Sequence, residues 1–140
     1  MEIRVFAQAD IEAVVQLWND CGLTRPWNDP HKDIARKLSV SPELFLVGTD
    51  DQGLLMATVM VGYDGHRGWI NYLAVHPSHQ RQGHASQLMQ QAEQLLTARG
   101  CPKLNLQVRA GNEVVIALYE SLGYTDDKTV SMGKRLIADI

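Results

Sequence analysis

Trp69-Ile70-Asn71-Tyr72-Leu73-Ala74-Val75-His76-Pro77-Ser78-His79-Gln80-Arg81-Gln82-Gly83-His84-Ala85-Ser86 passes from an apolar segment, through a proline-marked turn, into the start of a helix. Residues 69–75 read as a strand, bounded by glycine before and proline after. Downstream, Ala85, Leu88, Met89, Ala92, Leu95 and Leu96 recur at helical spacing on one face, and Arg99-Gly100-Cys101-Pro102 stops the run. Leu104, Leu106 and Val108 then alternate with Asn105, Gln107 and Arg109, the pattern of a half-buried strand. A strand, a helix and a strand in this order imply one parallel pair, because a short hairpin cannot join parallel neighbours.

Outward from that unit, the remaining segments read mostly as antiparallel sheet with helices. Residues 2–6 form a strand, and Asp10 is expected to cap a helix carrying Ile11, Val14, Val15, Trp18 and Cys21 on one face. Residues 21–30, with two prolines and a glycine, form a loop, and 31–38 a short second helix ended by Ser41-Pro42. Strands at 44–47 and 54–61 flank the hairpin signal Thr49-Asp50-Asp51-Gln52-Gly53. Asn112 caps a helix running to Leu122, Gly123 sits at its C′ position, and 124–136 return as one or two strands. The fold class is α/β in the mixed, α+β sense: a central, mostly antiparallel sheet with one parallel pair, flanked by about four helices.

Length and composition set limits on function. The 140 residues suit a single domain, 1–140, with enough chain to bury a core without disulfides. The chain is 45% hydrophobic and 21% charged, and thirteen basic against sixteen acidic residues leave −3. A dedicated nucleic-acid binder is usually basic, so no nucleic-acid partner is expected. No apolar run is long enough for a membrane span, and the N-terminus lacks a signal-peptide pattern, so a cytoplasmic protein with no membrane partner is expected. Cys21 and Cys101 form no disulfide framework. Four histidines, His66, His76, His79 and His84, lie close in sequence, yet their spacing fits no common zinc pattern, and no metal is expected.

The chemistry begins at Arg81-Gln82-Gly83-His84-Ala85-Ser86, between the strand and the strong helix. A helix N-terminus offers unpaired N–H groups and about half a positive charge, and a glycine there lets the main chain approach an anion. The loop lacks the Gly-Lys-Ser/Thr of a P-loop and the three glycines of a dinucleotide fingerprint. An ordinary capped loop fits the same residues.

Gln80-x-x-Gly83-x-Ala85 resembles the Q/R-x-x-G-x-G/A signature of the GNAT superfamily of N-acetyltransferases. Asn112 to Tyr124 is similar to a second block of that family, N-x-x-A-x-x-L-Y-x-x-x-G-F, in the family's order and spacing. The loops Arg25-Pro26-Trp27-Asn28-Asp29-Pro30 and Gly62-Tyr63-Asp64-Gly65-His66-Arg67-Gly68 resemble a narrower bacterial subgroup, the YpeA-type acetyltransferases. Val108 to Tyr124 is also similar to ribosomal-protein N-terminal acetyltransferases.

The resemblance implies an enzyme, an acyltransferase of the GNAT fold. It would transfer the acetyl group of acetyl-coenzyme A, its cosubstrate, to the primary amine of an acceptor, either a small molecule or a protein N-terminus or lysine. Arg81, Gln82, Gly83, His84, Ala85 and Ser86 would hold the pyrophosphate. The main chain of Leu73, Ala74 and Val75 would pair with the pantetheine arm, and Asn112 would bond it, beside its role as a helix cap. Tyr119, about two helical turns after Asn112, would protonate the leaving thiolate; a core tyrosine is the other reading of that position. The family's expected partners are therefore acetyl-coenzyme A and an amine acceptor, and a homodimer is open to such a chain.

The sequence departs from the resemblance at the general base. Gln107 stands where the ribosomal-protein enzymes carry a glutamate, and an amide cannot take a proton. Asp64 and His66, in the loop before the strand at 69–75, are substitutes for it or plain turn residues. Trp27, Asn28 and Asp29 lie in the loop that walls the acceptor side in this family and are candidates for substrate contact. The missing acid leaves a second reading, a regulatory module that binds acetyl-coenzyme A with weakened catalysis.

Overall fold

The computed structural model describes residues 1–139. Its five strands are β1 (Glu2–Val5), β2 (Phe45–Thr49), β3 (Leu55–Tyr63), β4 (Gly68–Val75) and β5 (Leu104–Leu106). They form one sheet in the order β1-β2-β3-β4-β5. Pairing is antiparallel from β1 to β4 and parallel between β4 and β5, as the strand-helix-strand unit requires.

Four α-helices cover the sheet: α1 (Ile11–Asp20), α2 (Pro30–Leu38), α3 (His84–Ala98) and α4 (Glu113–Ser121). The period of two along β2 and β3 assigns alternate side chains to opposite faces. Phe45, Val47 and Met60 pack with Val14, Trp18 and Ile34 on the α1/α2 face. Leu46, Val59 and Val61 pack with Leu88, Met89, Leu96 and Tyr119 on the α3/α4 face. Covered on both sides, the central strands read as near-continuous apolar runs.

Local chemistry explains most boundaries and corrects some. Asp10 stands at the N-cap position of α1, as expected, but its side chain makes no cap bond there; it ends a 3-10 turn (Gln8–Asp10), and its carboxylate accepts from Ala7 N at 2.8 Å and from Arg4 at 2.7 and 2.9 Å. Helix α2 starts one residue earlier than expected. Pro30 occupies its first turn, where a missing N–H costs nothing, and the Asp29 side chain accepts from His31 N at 2.9 Å. The β2–β3 turn closes through Asp50 Oδ1, which accepts from Gln52 N at 2.8 Å and Leu54 N at 2.9 Å.

Two expectations about strands fail. Strand β5 stops at Leu106 instead of reaching Arg109, and no strand or helix forms at 125–139. Val130 and Met132 alternate with polar neighbours as a strand should, but they are 87% and 90% exposed and meet no partner strand among the described residues. Side chains fasten the segment instead. Lys103 Nζ donates to Asp127 at 2.8 Å, Gln107 Nε2 to Ser131 Oγ at 2.6 Å, and Arg135 to Asn28 Oδ1 at 2.6 Å. At its far end, the Asp139 carboxylate accepts from Arg36 at 2.6 Å and from Asp29 N at 3.0 Å.

Candidate active site

The site grows from an irregularity in β4. Between the pairs Thr58↔Ala74 and Met60↔Asn71, β3 contributes one residue and β4 contributes two, Tyr72 and Leu73. The bulge places Tyr72 at φ +51°, a left-handed conformation that costs a bulky residue on the order of 1–3 kcal/mol. The surroundings hold it there. Thr58 Oγ1 donates to Tyr72 O at 2.9 Å and accepts from Trp18 Nε1 at 2.9 Å. The Tyr72 ring stacks on Trp18 with centroids 3.7 Å apart.

Past the bulge the sheet opens. The parallel ladder runs only from Gly68↔Leu104 to Ile70↔Leu106, so β4 from Asn71 onward has no strand on its β5 side. Leu73, Ala74 and Val75 lie on that free edge, Leu73 half-buried and the other two buried. An open strand edge with unpaired main-chain groups accepts an extended ligand as an added strand.

The loop that follows is preset for an anion. Gln80 Nε2 donates to Val75 O at 3.0 Å and ties the loop to the strand end. Arg81 and Gly83 both adopt positive φ, +62° and +82°. The first bond of α3 runs from Gln87 N to Gly83 O at 3.1 Å, which leaves the N–H groups of His84, Ala85 and Ser86 ahead of it without intrahelical partners. A Cβ at Gly83 would meet nothing within 4 Å, so the backbone there faces open space. Gln82 and His84 contact each other at 3.3 Å and border a recess of about 380 Å³ together with His79, Asp50 and Asp51.

Helix α4 supplies the other sequence-predicted groups. The Asn112 side chain caps it, accepting from Val115 N at 3.4 Å, while the rest of the residue stays exposed. The Tyr119 ring is buried, edge-on to Tyr124 at 5.8 Å. Its hydroxyl has no hydrogen-bond partner among the described residues and is not sealed from solvent. Burial pushes its pKa up to about 12, which keeps the phenol protonated.

Other expected residues lie elsewhere. Asp64 closes the turn before β4: its Oδ1 accepts from His66 N at 2.8 Å and Arg67 N at 2.7 Å, and its Oδ2 accepts from Trp69 Nε1 at 3.3 Å. Leu73 is five residues along the strand from Gly68, roughly 16 Å at about 3.3 Å per residue, so Asp64 and His66 sit at the opposite end of β4. Gln107 is exposed and turned to Ser131. Trp27 is exposed, Asn28 holds Arg135, and Asp29 caps α2. Among the described residues, no group of three or more His, Cys, Asp and Glu side chains is placed to hold a metal ion. No helix there is long and apolar enough to cross a membrane.

One carboxylate beside the bulge escaped the sequence reading. Asp33 Oδ2 accepts the Tyr72 hydroxyl at 2.7 Å, and its Oδ1 accepts from Arg36 at 3.1 Å. Arg36 in turn grips Asp139, whose carboxyl it holds well below the usual range. The phenol of Tyr72 is pushed above its ordinary range by burial and by Asp33, so it remains a donor. The only sequence signal for Asp33 is its place on the polar side of α2, which does not name its partner.

Comparison with known proteins bears on the family and the fold. A model described as the acetyltransferase (GNAT) family matches residues 11–124. An acetyltransferase of Yersinia enterocolitica is 54% identical over 139 residues, covering 99% of this chain and 98% of that protein. The ribosomal-protein-S18-alanine N-acetyltransferase from Escherichia coli superposes with TM-score 0.73 at 29% identity, covering 87% of this chain and 76% of that one. A NatB acetyltransferase complex bound to coenzyme A shares the fold with TM-score 0.78 at 24% identity, covering 89% and 84% of the two chains.

Proposed function

Because this chain belongs to the acetyltransferase (GNAT) family, we propose that it transfers the acetyl group of acetyl-coenzyme A to the nitrogen of a primary amine. The observation that carries this reading is the free edge of β4 beyond Ile70, next to a loop whose N–H groups are unpaired. The two lie adjacent along the chain, as an extended arm ending in a pyrophosphate requires.

Acetyl-coenzyme A supplies an activated thioester. The N–H groups from Arg81 to Ser86 hold its pyrophosphate at the positive end of α3. Leu73, Ala74 and Val75 pair with the pantetheine arm, and Asn112 bonds it from the start of α4. A main-chain N–H of β4 donates to the thioester oxygen, where charge grows in the transition state. Tyr119 gives its proton to the departing sulfur. Burial keeps the phenol protonated, so the proton is present when the sulfur departs.

The amine must be neutral when it attacks. A lysine-like amine with pKa near 10.4 is neutral in about one of a few thousand molecules at pH 7. Asp33 is the carboxylate bonded to the bulge residue Tyr72, with Tyr72 and Arg36 each using one lone pair on its two oxygens. Its remaining lone pairs receive the acceptor's ammonium, and water carries the released proton away. Trp27, Asn28 and Asp29 border the same side. Asp64 and His66 stay as remote acceptor contacts at most, given their place at the far end of β4.

Thiol release from acetyl-coenzyme A across a panel of amines tests the proposal. Release that depends on both the amine and Tyr119 is the expected result. Tight cofactor binding with no release from any amine would favour the second reading, a regulatory module that binds acetyl-coenzyme A; the amide of Gln107 is the feature on its side.

A further inference from the structure

The C-terminal segment and α2 enclose an open recess of about 620 Å³, lined by Arg36, Gly133, Lys134, Arg135, Leu136 and Ile137. That size falls in the range of small-molecule sites. Asp139 ties the segment to Arg36 and the start of α2 beside the recess, which is broadly open to solvent.

Its charges are unevenly matched. Arg36 is committed to Asp33 and Asp139. Arg135 bonds the neutral amide of Asn28, and Lys134 forms no hydrogen bond or ion pair among the described residues. Among the described residues, two positive charges therefore border the recess without a carboxylate paired to them. Leu136 and Ile137, 85% and 69% exposed, add an apolar wall beside them. From the recess, hydrogen bonds run through Arg36 to Asp33 and on to Tyr72, the neighbour of Leu73 on the free edge of β4.

We infer that the acceptor is a primary amine that also carries a carboxylate, its anionic end held by Lys134 and Arg135 and its amine end reaching Asp33. The inference rests on the acetyl-transfer reading and names its substrate class. A guanidinium fork pairs with a planar carboxylate through two parallel bonds, and a free ammonium adds a point charge beside it. The apolar wall accommodates the carbon chain between the two ends. Such an acceptor comes from one of two sources, a free amino acid or a peptide whose amine lies near an acidic side chain.

The experiment compares γ-aminobutyrate, n-butylamine and putrescine, which share a chain length and differ only in the far end. Thiol release should show kcat/KM about tenfold or more higher for γ-aminobutyrate than for n-butylamine, with putrescine lowest. The double variant Lys134→Glu/Arg135→Glu should raise KM for γ-aminobutyrate by about 10–100-fold. It should change n-butylamine turnover far less than γ-aminobutyrate turnover and leave the cofactor-induced melting shift in place. Peptides with a free N-terminal amine followed by Glu or by Lys separate the two sources: a Glu preference combined with inactivity on γ-aminobutyrate assigns the acidic peptide, and the reverse assigns the free amino acid.

Turnover of n-butylamine or putrescine equal to or better than that of γ-aminobutyrate, together with no preference for the Glu peptide over the Lys peptide, overturns the inference and leaves acetyl transfer standing. So does a carboxylate preference that survives the double variant. Should no amine release thiol, the acetyl-transfer reading falls separately, and calorimetry with γ-aminobutyrate decides this one. Binding lost in the double variant upholds the anion site, and absence of binding to the parent chain overturns it.

Discussion

Tyr72 donates its hydroxyl to Asp33 at 2.7 Å while its own backbone sits at φ +51°, so one residue both shapes the bulge of β4 and fixes a carboxylate on α2. The two roles separate by mutation. Asp33→Asn keeps a hydrogen-bond acceptor for Tyr72 and removes the charge; kcat/KM on the best amine should fall about 100-fold, in the range of general acid–base effects. Tyr72→Phe keeps ring and bulge and should cost about 1 kcal/mol of stability, read as a lower Tm. Asp33→Asn with undiminished kcat/KM would take the carboxylate out of the acceptor side.

Acetyl-coenzyme A should raise Tm, because a ligand that binds only the folded chain stabilises it by mass action. At a hundredfold excess over Kd the gain is about 2.7 kcal/mol, or roughly 5–15 °C at this size. Gly83→Val should abolish that shift. The new side chain has open space within the protein but projects toward the ligand, and its left-handed φ is unfavourable for a β-branched residue. A folded Gly83→Val protein with unchanged cofactor affinity would place the pyrophosphate elsewhere.

Tyr119→Phe should leave Tm and the cofactor shift nearly intact and lower kcat by about 100-fold, the lower end of general acid catalysis, since the thiol is a fair leaving group. The phenol also has a pH signature. With its pKa raised to about 12 in the folded chain, its contribution to stability is complete below the unfolded value near 10 and is lost as pH rises above it. The difference in phenolate absorbance between parent and Tyr119→Phe proteins should therefore step near pH 12. A step near 10 would mean an exposed ring.

Gly68→Ala tests packing at the first rung of the parallel pair. The added Cβ would stand 2.8 Å from Leu96 Cδ1 and 3.0 Å from Cys101 Sγ, closer than carbon or sulfur tolerates. Overpacking of this kind costs about 1–3 kcal/mol. Thermal unfolding should show the loss, with an unchanged Tm excluding the tight contact.

Asp139→Asn probes the anchor of the C-terminal segment. Arg36 and the Asp29 N–H depress the Asp139 pKa, so its stabilising effect is present above the ordinary carboxylate value and fades as pH falls through the depressed one. The Tm advantage of the parent over Asp139→Asn should be full at neutral pH and shrink below pH about 4. A pH-independent difference would indicate packing alone.

Much of this was readable in one dimension because the signals are periodic. The stripe from Ala85 to Leu96 identifies α3 and its buried face, and the alternation of Leu104 and Leu106 identifies β5. The loop around Gly83 was equally legible, since glycine at a helix start has a local physical meaning. Tertiary contacts were not. Asp33 and Tyr72 lie 39 positions apart, and Arg36 and Asp139 lie 103 apart, with no pattern linking either pair. Val130 and Met132 carry the alternation of a strand, but a strand also needs a neighbour, which no local pattern reports. Nor does any local pattern report that β5 stops at Leu106 or that the Gln107 amide reaches Ser131, 24 positions on.

The short ladder between β4 and β5 also bears on how the chain unfolds. Its three rungs join Gly68–Ile70 to Leu104–Leu106, the fewest of any pairing in the sheet, and beyond Ile70 the edge of β4 is open. With so few backbone bonds to hold it, this seam should fray early, with fast amide exchange in β5. The seam expected to open first is the one beside the free edge of β4, where the proposed cosubstrate would pair. Occupancy of that cleft would then guard the weakest joint of the sheet, and a chain starved of its cosubstrate would be the one most exposed to proteolysis.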